Sequence, residues 1–308
     1  MTFDKAYCEE LKANITAYKA RREYFSQNNE NLRFKFYCPD ENCNVELTGV
    51  NIYTLGKTKN RPHFRTKINS KHTDNCSIVV ENEDNINKKG EGLKSQGHKF
   101  SNFPEEFILN RPKKEVESKG PKEIDFDDEF DIEPRIRNLN STNSIENKPH
   151  RTSYLENVVD SFESMNDDEK KDRCIVLNGE RKSYKNTFKN IKYCEDGTNF
   201  IFYGDIKPVK KYGDNFAIQF KDNVWFNGKF HSISIYITSK LINEYRLCRL
   251  FENTINTLAE LKNKFESAKC YFVGAYPMVK TLQKNGSEYD VLEVIITNLD
   301  HLVIKFTE

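Results

Sequence analysis

Two cysteines, followed later by a histidine and a third cysteine, are the residues of this chain best suited to chemistry. Cys38 and Cys43 lie in "FYCPDENCNVEL", and His72 and Cys76 lie in "HTDNC". Structural zinc sites take four cysteine or histidine ligands in a tetrahedron, commonly as two close pairs that the fold brings together. The spacing therefore predicts a zinc ion bound by Cys38, Cys43, His72 and Cys76. Pro39 favours the tight turn that the first pair needs.

Two other interpretations of these residues stay open at this point. The cysteines can be buried thiols and the histidine an unrelated surface residue. His63, which lies between Pro62 and Phe64, can replace His72 as a ligand or serve only in packing. The four later cysteines fall in helix or strand patterns, and we expect them to be buried thiols; they are Cys174, Cys194, Cys248 and Cys270.

Motifs of common enzymes are missing from the sequence. It has no Walker-type phosphate loop, no G-x-S-x-G elbow and no H-E-x-x-H motif. A zinc ion with four protein ligands also leaves no open position for a substrate. We therefore expect a protein that binds rather than catalyses.

Composition sets the class of protein and its compartment. The chain has 308 residues, a mean hydropathy of -0.78 and a formal net charge of +1. Such polarity predicts a core-bearing part plus a solvated part, and so small a net charge gives no global attraction to nucleic acid. No apolar run approaches the roughly 18 residues that span a bilayer, and the N-terminus does not resemble a secretory signal. The sequence therefore predicts a cytoplasmic protein with no membrane partner, in which disulfides are uncommon.

The segment around the predicted zinc ligands is basic. Between Thr48 and Thr73 there is no acidic residue. Lysine and arginine side chains there can contact phosphates and release counterions, although a solvated loop is an equally good interpretation. The basic residues predicted to bind nucleic acid in this segment are Arg61, Arg65, Lys67 and Lys71.

The elements that position the first site are a helix and a small zinc-binding module within residues 1–80. Apolar residues spaced three and four apart predict an amphipathic helix over residues 3–25. Residues 33–39 alternate basic and aromatic side chains and predict a short strand. Residues 81–150 contain few apolar side chains, and they are predicted to form a flexible, charge-rich, disordered linker with one short docked helix at "SNFPEEFILN".

Residues 151–308 carry the pattern of a second domain. A helix over 153–165 precedes three strands near 199–209, 214–222 and 231–238, a long helix over 240–268, and two final strands joined at Asn285–Gly286. This order resembles the OB-fold superfamily, whose five-stranded barrel takes its helix between the third and fourth strands. Gly204 and Gly274 lie inside two of these strands, where a small barrel must bend. The predicted class is α+β, and a different mixed α+β domain is the alternative.

Two shorter segments resemble known proteins. The stretches "FYCPDENC", "PHFR" and "HTDNC" resemble the N-terminal zinc-ribbon-like segment of competence CoiA-like proteins over about residues 33–78. The resemblance implies a zinc module associated with nucleic acid, but no nuclease cassette follows it. Residues 123–134, "EIDFDDEFDIEP", resemble the acidic tails of bacterial single-stranded-DNA-binding proteins. That resemblance implies docking of a protein partner or competition with DNA, whereas a solvating linker is the alternative.

The predicted OB-like barrel offers residues for base stacking and phosphate contact. Bases stack on aromatic rings while lysines hold the backbone. Trp225 is the only tryptophan, and it is either an exposed stacking platform or, as is more common, a core residue. The residues predicted to bind nucleic acid here are Tyr203, Lys210, Lys211, Trp225, Tyr236, Lys280 and Lys284.

These patterns lead to one hypothesis and two alternatives. The leading hypothesis is a non-catalytic protein that binds single-stranded DNA or RNA, as an accessory factor of a mobile element or a phage-defence system. A protein–protein adaptor or inhibitor that uses the OB-like barrel is the first alternative. A zinc-dependent, nuclease-like enzyme is the second.

Overall fold

A computed structural model gives the fold of most of the chain. It describes residues 2–26, 33–55, 60–68, 70–73, 76, 103–110, 132–133, 151–194, 197–226, 228–260, 267–284 and 286–307. The chain divides into two compact units. The first comprises residues 1–54, 58–101 and 113–148, and the second comprises 55–57, 102–112 and 149–308. Among the described residues no helix is both long enough and apolar enough to cross a membrane.

Both strands and helices contribute to the fold, which confirms the mixed α+β class. The strands are β1 (Thr2–Phe3), β2 (Lys5–Cys8), β3 (Ala13–Thr16), β4 (Phe36–Tyr37), β5 (Glu46–Val50), β6 (His63–Thr66), β7 (Glu106–Phe107), β8 (Ile132–Glu133), β9 (Arg151–Thr152), β10 (Cys174–Leu177), β11 (Glu180–Ser183), β12 (Phe188–Asn190), β13 (Ile201–Ile206), β14 (Lys210–Tyr212), β15 (Asn215–Phe226), β16 (Lys229–Ile237), β17 (Ser267–Val273), β18 (Met278–Lys284), β19 (Ser287–Val294) and β20 (Leu302–Thr307). The α-helices are α1 (Ala17–Ser26), α2 (Leu155–Ser164), α3 (Asp167–Asp172), α4 (Tyr184–Thr187), α5 (Ser239–Asn243) and α6 (Cys248–Glu260).

The first unit is built on one sheet of short strands with the order β1-β6-β5-β4-β2-β3-β8. Its core is a cluster of aromatic and small aliphatic side chains packed beside α1. Phe36 and Phe64, on β4 and β6, meet at ring centroids 4.7 Å apart. This packing holds β4, β5 and β6 together, and these three strands carry the chain into the predicted zinc ligands.

The predicted helix over residues 3–25 is wrong for its first half. Residues Lys5–Cys8 and Ala13–Thr16 form an antiparallel hairpin, and α1 begins only at Ala17. Lys12 adopts a positive φ of 51°, which ends a tight turn that a continuous helix cannot contain. The apolar spacing fits a helix, but β2 lies between β3 and β4 in the sheet, and its buried residues alternate because successive side chains of a strand point to opposite faces.

The second unit contains a four-stranded sheet and a larger one. The four-stranded sheet has the order β11-β10-β7-β9, and β7 pairs in parallel with both of its neighbours. Glu106–Phe107 therefore form a strand, so the short helix predicted at "SNFPEEFILN" is wrong. The larger sheet has the order β18-β19-β16-β15-β13-β17-β20, with β12 and β14 attached to β13 and β15.

The first three strands predicted for the second unit are confirmed in position. The fourth is divided into β17 and β18, the fifth corresponds to β19, and strands β10, β11, β12, β14 and β20 were not predicted. Gly204 lies in β13 where a Cβ atom would come within 2.6 Å of Ile191 Cγ2. Gly274 follows β17 with a φ of +75°, in the left-handed region that favours glycine. Both glycines thus stand where the sequence predicted that a side chain would obstruct the fold.

The long helix predicted over residues 240–268 is divided in the structure. Helix α5 ends at Asn243, α6 begins at Cys248, and Ser267 and Ala268 already belong to β17. The break lies at Tyr245, whose hydroxyl donates a 2.7 Å hydrogen bond to Asp300. The hydrogen bond of this side chain thus accompanies a break between the two helices that the local sequence, free of glycine and proline, does not indicate.

Candidate metal centre

The first pair of predicted ligands lies on a turn between β4 and β5. The amide of Cys38 donates to the carbonyl of Val45 at 2.8 Å, which continues the ladder between these strands. The chain then turns at Asp40. The backbone carbonyl of Asp40 accepts a hydrogen bond from the amide of Cys43 at 3.1 Å, and its carboxylate accepts one from the amide of Asn42 at 2.9 Å. The turn brings both cysteine side chains to one side of the loop.

The second pair follows β6, which neighbours β5 in the same sheet. The four predicted ligand atoms all lie within 4.8 Å of one another. Cys38 Sγ is 3.6 Å from Cys76 Sγ, and His72 Nδ1 is 3.2 Å from Cys43 Sγ and 3.5 Å from Cys76 Sγ. Around a tetrahedral zinc ion with Zn–S bonds of about 2.3 Å and Zn–N bonds of about 2.0 Å, ligand atoms lie roughly 3.4–3.8 Å apart. The cluster therefore fits a metal ion of this kind.

The electrostatic environment of the cluster suits a metal cation in place of the protons of the thiols. Burial raises the pKa of the Cys38 thiol, although the amide of Asp40 hydrogen-bonds to its sulfur and acts in the opposite direction. Burial also acts to raise the pKa of Cys43, but hydrogen bonds from the Thr73 amide and the Cys76 thiol bring it below the ordinary value. Burial lowers the pKa of His72, which favours the neutral imidazole that binds metals. A metal ion compensates the buried thiolates that would otherwise be costly.

Side chains outside the four ligands orient the histidine. The far ring nitrogen of His72, Nε2, lies 3.4 Å from the hydroxyl of Thr66, and its ring centroid is 5.1 Å from that of Phe3. When Nδ1 faces the metal, Nε2 carries the ring proton and can donate a hydrogen bond to the hydroxyl of Thr66. This hydrogen bond fixes the tautomer of His72. Sequence spacing did not point to Thr66, because it belongs to β6 rather than to a ligand pair.

His63 is placed away from the cluster. Its Nδ1 atom lies 2.9 Å from the carbonyl of Arg61. His72, rather than His63, is therefore the imidazole of the cluster. Of the later cysteines, Cys270 is fully buried as predicted, whereas the other three are only partly buried.

The basic residues near the cluster do not form one uniform patch. Arg61 lies 3.5 Å from the carboxylate of Asp4, and Lys67 lies 2.8 Å from that of Glu46. Folding thus brings carboxylates from β5 and from the N-terminal hairpin region to a segment that is free of acids in sequence. Arg65 and Lys71 are exposed, and Lys57 and Lys59 lie outside the described residues.

The second unit exposes Trp225 at the end of the hairpin formed by β15 and β16. Trp225 is 61% exposed and its cross-strand partner Phe230 is 69% exposed. Their ring centroids are 4.9 Å apart in an edge-to-face arrangement. Trp225 is therefore not a core residue, and its use as a stacking platform stays a prediction. Phe230 was missed, although its place in "NVWFNGKF", five residues after the tryptophan across a glycine turn, is a signal that could have found it.

Other predicted residues of the second unit lie on the same outward-facing rows. Lys210 of β14 pairs with Ala217 of β15, and Ala217 pairs with Tyr236 of β16, so the lysine and the tyrosine lie in one row on either side of β15. The ammonium of Lys280 lies 6.0 Å from the centre of the Tyr236 ring and 2.7 Å from the carboxylate of Glu293.

Three further residues that were predicted to bind nucleic acid lie outside the row of Lys210 and Tyr236. Lys211 is exposed on β14, with its ammonium 5.6 Å from the ring of Phe216. Tyr203 is partly buried and stacks on Tyr271 at 5.6 Å. Lys284 ends β18. Their contact with a ligand stays a prediction.

Comparison of the chain with family models and with curated proteins finds no match. The site is therefore interpreted from its own geometry. Of the acidic segment 123–134, the structure describes only β8.

Proposed function

We propose that the protein is a non-catalytic nucleic-acid-binding protein that takes a single strand on the exposed face of its second unit. The observation that carries the proposal is the exposed Trp225–Phe230 pair, which shares strands β15 and β16 with a second site where Lys210 and Lys280 accompany Tyr236. Large aromatic side chains are seldom left in water at the tip of a hairpin without a partner to cover them. We call this face, with Lys210, Trp225, Phe230, Tyr236 and Lys280, the aromatic face.

The chemistry of the aromatic face suits unpaired bases. A base can stack on an aromatic ring whatever its identity, while neighbouring ammonium groups neutralise the phosphates. Duplex DNA offers no such stacking surface, because its bases are already stacked on each other. The spacing of Trp225 and Tyr236 at opposite ends of the β15–β16 ladder allows more than one base to be held along the strands.

Strand pairing supports an OB-like barrel as the scaffold. β13 pairs with both β15 and β17, β15 pairs with β16, and β16 pairs in parallel with β19. β18, which follows β17 after Gly274, pairs with β19, so β17 and β18 can act as one bent strand that closes the ring. In that scheme α5 and α6 lie between the third and fourth strands, and the aromatic face lies on strands two and three, the ligand face of OB-folds.

The metal centre has a structural role in this proposal, and we assign zinc to it. Three thiolates and one imidazole are a donor set typical of zinc, and together they complete a tetrahedron. Zinc would tie the β4–β5 turn to the segment after β6 and so stabilise the first unit.

The test uses the fact that Trp225 is the only tryptophan of the chain. Stacking of a base on its indole should quench tryptophan emission when an unstructured oligonucleotide such as oligo(dT) or oligo(rU) is added. Anisotropy of a labelled oligonucleotide should give an affinity that falls steeply between about 50 and about 200 mM salt. A duplex of equal length should bind more weakly.

Two substitutions separate stacking from general charge. Trp225→Ala should weaken binding by about 1–3 kcal/mol, the range found for base stacking. Tyr193→Ala is the matched control, because Tyr193 is 62% exposed and its ring lies 4.9 Å from Lys192, yet it is outside the aromatic face. Equal loss in both variants, or an affinity that does not respond to salt, would contradict the proposal.

A protein adaptor is the second candidate, and one observation favours it. Met278, Val279 and Ile295 are each about half exposed on or beside β18 and β19. Such apolar surface suits a protein partner better than a nucleic acid. Failure of every oligonucleotide to bind, together with a stable complex with a host protein that Met278→Lys abolishes, would favour this candidate.

A further inference from the structure

We infer that Tyr289 is a further base-stacking residue of the proposed nucleic-acid site. With Trp225 and Phe230 it forms one subsite at the end of the β15–β16 hairpin, which we call the tip subsite. Tyr236 marks a second subsite, and the single strand runs along β16 from one to the other. The inference rests on the proposed function and deepens it, because it names the residues at each end and the length of strand between them.

The register of the sheet places Tyr289 beside Phe230. β16 and β19 are parallel, with Ile233 opposite Leu292. The same offset, continued toward the start of both strands, puts Phe230 opposite Tyr289. The exposed surface of β15 and β16 therefore extends onto a third strand.

Contacts near the end of the hairpin keep the two strands together at this point. The Nδ1 atom of His231 lies 3.4 Å from the backbone carbonyl of Asp290. The ammonium of Lys229 lies 3.1 Å from the carboxylate of the same residue. β19 therefore stays beside β16 as far as Phe230 and Tyr289.

Alternation along the strands puts the three rings on one face. Ile233 and Leu292 are buried, and successive side chains of a strand point to opposite faces. Phe230 and Tyr289 each lie an odd number of residues from these positions, so both point outward, and they are 69% and 43% exposed. Trp225 stands opposite Phe230 and packs edge to face against it. Three neighbouring strands thus each contribute one exposed ring to the tip subsite.

The second subsite supplies positive charge. Lys210 lies in the row of Tyr236, and the ammonium of Lys280 lies 6.0 Å from the centre of the Tyr236 ring. Glu293 pairs with Lys280 at 2.7 Å, so a phosphate bound there competes with one carboxylate. The lysines at this end complement a phosphate backbone, and the rings at the other end complement bases.

The surface between the two subsites is polar. The cross-strand pairs that face outward there are Gln219 with Ser234 and Asn223 with Ser232. An apolar protein partner would bury these amides and hydroxyls without hydrogen bonds, which is costly. Unpaired bases and sugars offer both donors and acceptors to them. The polar middle therefore favours a nucleic-acid strand as the occupant of the whole face.

The length of β16 between the subsites predicts how many nucleotides the face covers. Phe230 and Tyr236 are six residues apart on β16. At a strand rise of about 3.3 Å per residue, this separation is about 20 Å. A stacked single strand advances about 3.4 Å per nucleotide and needs about six steps to cover that distance, and an extended strand needs fewer. An oligonucleotide of about three nucleotides therefore reaches one subsite, whereas one of about twelve reaches both.

The first experiment measures how variants of Tyr289 bind a labelled oligo(dT) of about twelve nucleotides. Tyr289→Ala should weaken binding about tenfold, the effect of losing one stacked base. Tyr289→Phe keeps the ring and should bind as the unaltered chain does. Tyr289→Leu keeps an apolar side chain without a ring, and it should bind as weakly as Tyr289→Ala. Tyr193→Ala is again the control, and circular dichroism during urea unfolding checks that each variant is folded.

The second experiment varies the length of the oligonucleotide. Trp225 is the only tryptophan, so quenching of its emission reports occupancy of the tip subsite. The affinity of the unaltered chain should rise at least tenfold between about three and about twelve nucleotides, because the second subsite then binds intramolecularly. Tyr236→Ala should leave quenching by the short oligonucleotide unchanged and weaken binding of the long one at least fivefold.

The outcomes separate this inference from the proposed function. If no oligonucleotide binds or quenches Trp225, both fail. If Trp225→Ala weakens binding while Tyr289→Ala behaves as Tyr193→Ala does, or if Tyr289→Leu binds as the unaltered chain does, Tyr289 is not a stacking residue and the proposed function stands. If Tyr236→Ala weakens binding of both lengths equally, the path along β16 is overturned.

Discussion

At the scale of single residues, Thr66 is a neighbour of the candidate metal centre whose effect on zinc binding can be measured. Its hydroxyl lies 3.4 Å from the far nitrogen of His72 and accepts a hydrogen bond from it when the other ring nitrogen faces a metal. Thr66→Val keeps the shape of the side chain but removes this acceptor, so the imidazole loses its fixed tautomer and becomes a weaker ligand. We expect the dissociation constant for zinc to rise about tenfold, measured by competition with a chromophoric chelator.

Thr48→Val is the control for this substitution. Thr48 lies on β5 directly opposite Arg65 of β6, whereas Thr66 lies opposite Leu47, so Thr48 is one position removed from the pair that adjoins His72. The affinity of the Thr48→Val variant for zinc should equal that of the unaltered chain. Equal weakening by both substitutions would mean that the sheet, rather than the hydrogen bond, determines zinc affinity.

Thiol reactivity is a second prediction at this scale. Burial, together with the nearby carboxylate of Glu10, raises the pKa of Cys8 to about 12. The thiolate is the reactive form, so almost none is present at about pH 8, and its population grows only as the pH approaches 12. We expect iodoacetamide to modify the partly buried Cys174 in the folded protein at about pH 8 and to leave Cys8 unmodified, as read by peptide mass spectrometry.

Sequence spacing was sufficient to find the residues of the candidate metal centre but not the side chains around them. Cys38, Cys43, His72 and Cys76 are close in pairs along the chain, and ligand chemistry restricts which residues can pair. Thr66 and Phe3 reach His72 only because β6 lies beside β1 in the sheet. Contacts between distant strands have no signature in local spacing, so these residues could not be predicted.

At the scale of elements, Gly204 shows how one position limits the packing of a strand. A Cβ atom there would lie 2.6 Å from Ile191 Cγ2 and 3.1 Å from Phe220 Cδ1. Gly204→Ala should therefore destabilise the second unit by about 1–3 kcal/mol, the usual cost of overpacking, as measured by urea unfolding.

A double substitution checks the cause of that loss. Ile191→Ala removes the obstructing methyl group and destabilises by itself, because Ile191 is fully buried. If the clash is the cause, the combined cost of Gly204→Ala and Ile191→Ala should be clearly smaller than the sum of the two single costs. Additive costs would show that another contact, such as that with Phe220, rather than the contact with Ile191, excludes a side chain at this position.

Elements with a strong local pattern were predictable, and elements made by pairing were not. Strand β16 alternates buried isoleucines with outward residues and was predicted from that alternation. The N-terminal hairpin was predicted as a helix, because its apolar spacing fits both structures and only pairing with β4 selects the strand. Strands of two residues, such as β7 and β8, are too short to show any period.

At the scale of the whole molecule, the two units do not follow the predicted boundaries. The sequence placed residues 103–110 in a linker because their surroundings are polar, yet β7 lies inside the four-stranded sheet of the second unit. Phe107 is 2% exposed, and the hydroxyl of the buried Tyr184 donates to the carbonyl of Pro104 at 2.6 Å. A segment distant in sequence thus completes the sheet.

The stability of two fragments follows from this arrangement. A chain that begins at residue 151 lacks β7, so β9 and β10 lose the strand between them, whereas a chain that begins at residue 102 keeps it. We expect the shorter fragment to be less stable by about 3 kcal/mol or more, because it loses at least one fully buried phenylalanine, and circular dichroism during urea unfolding measures the difference. Phe107→Ala in the longer fragment should account for most of that loss. Equal unfolding midpoints for the two fragments would mean that β7 adds no stability, and the second unit would then begin where the sequence alone had placed it.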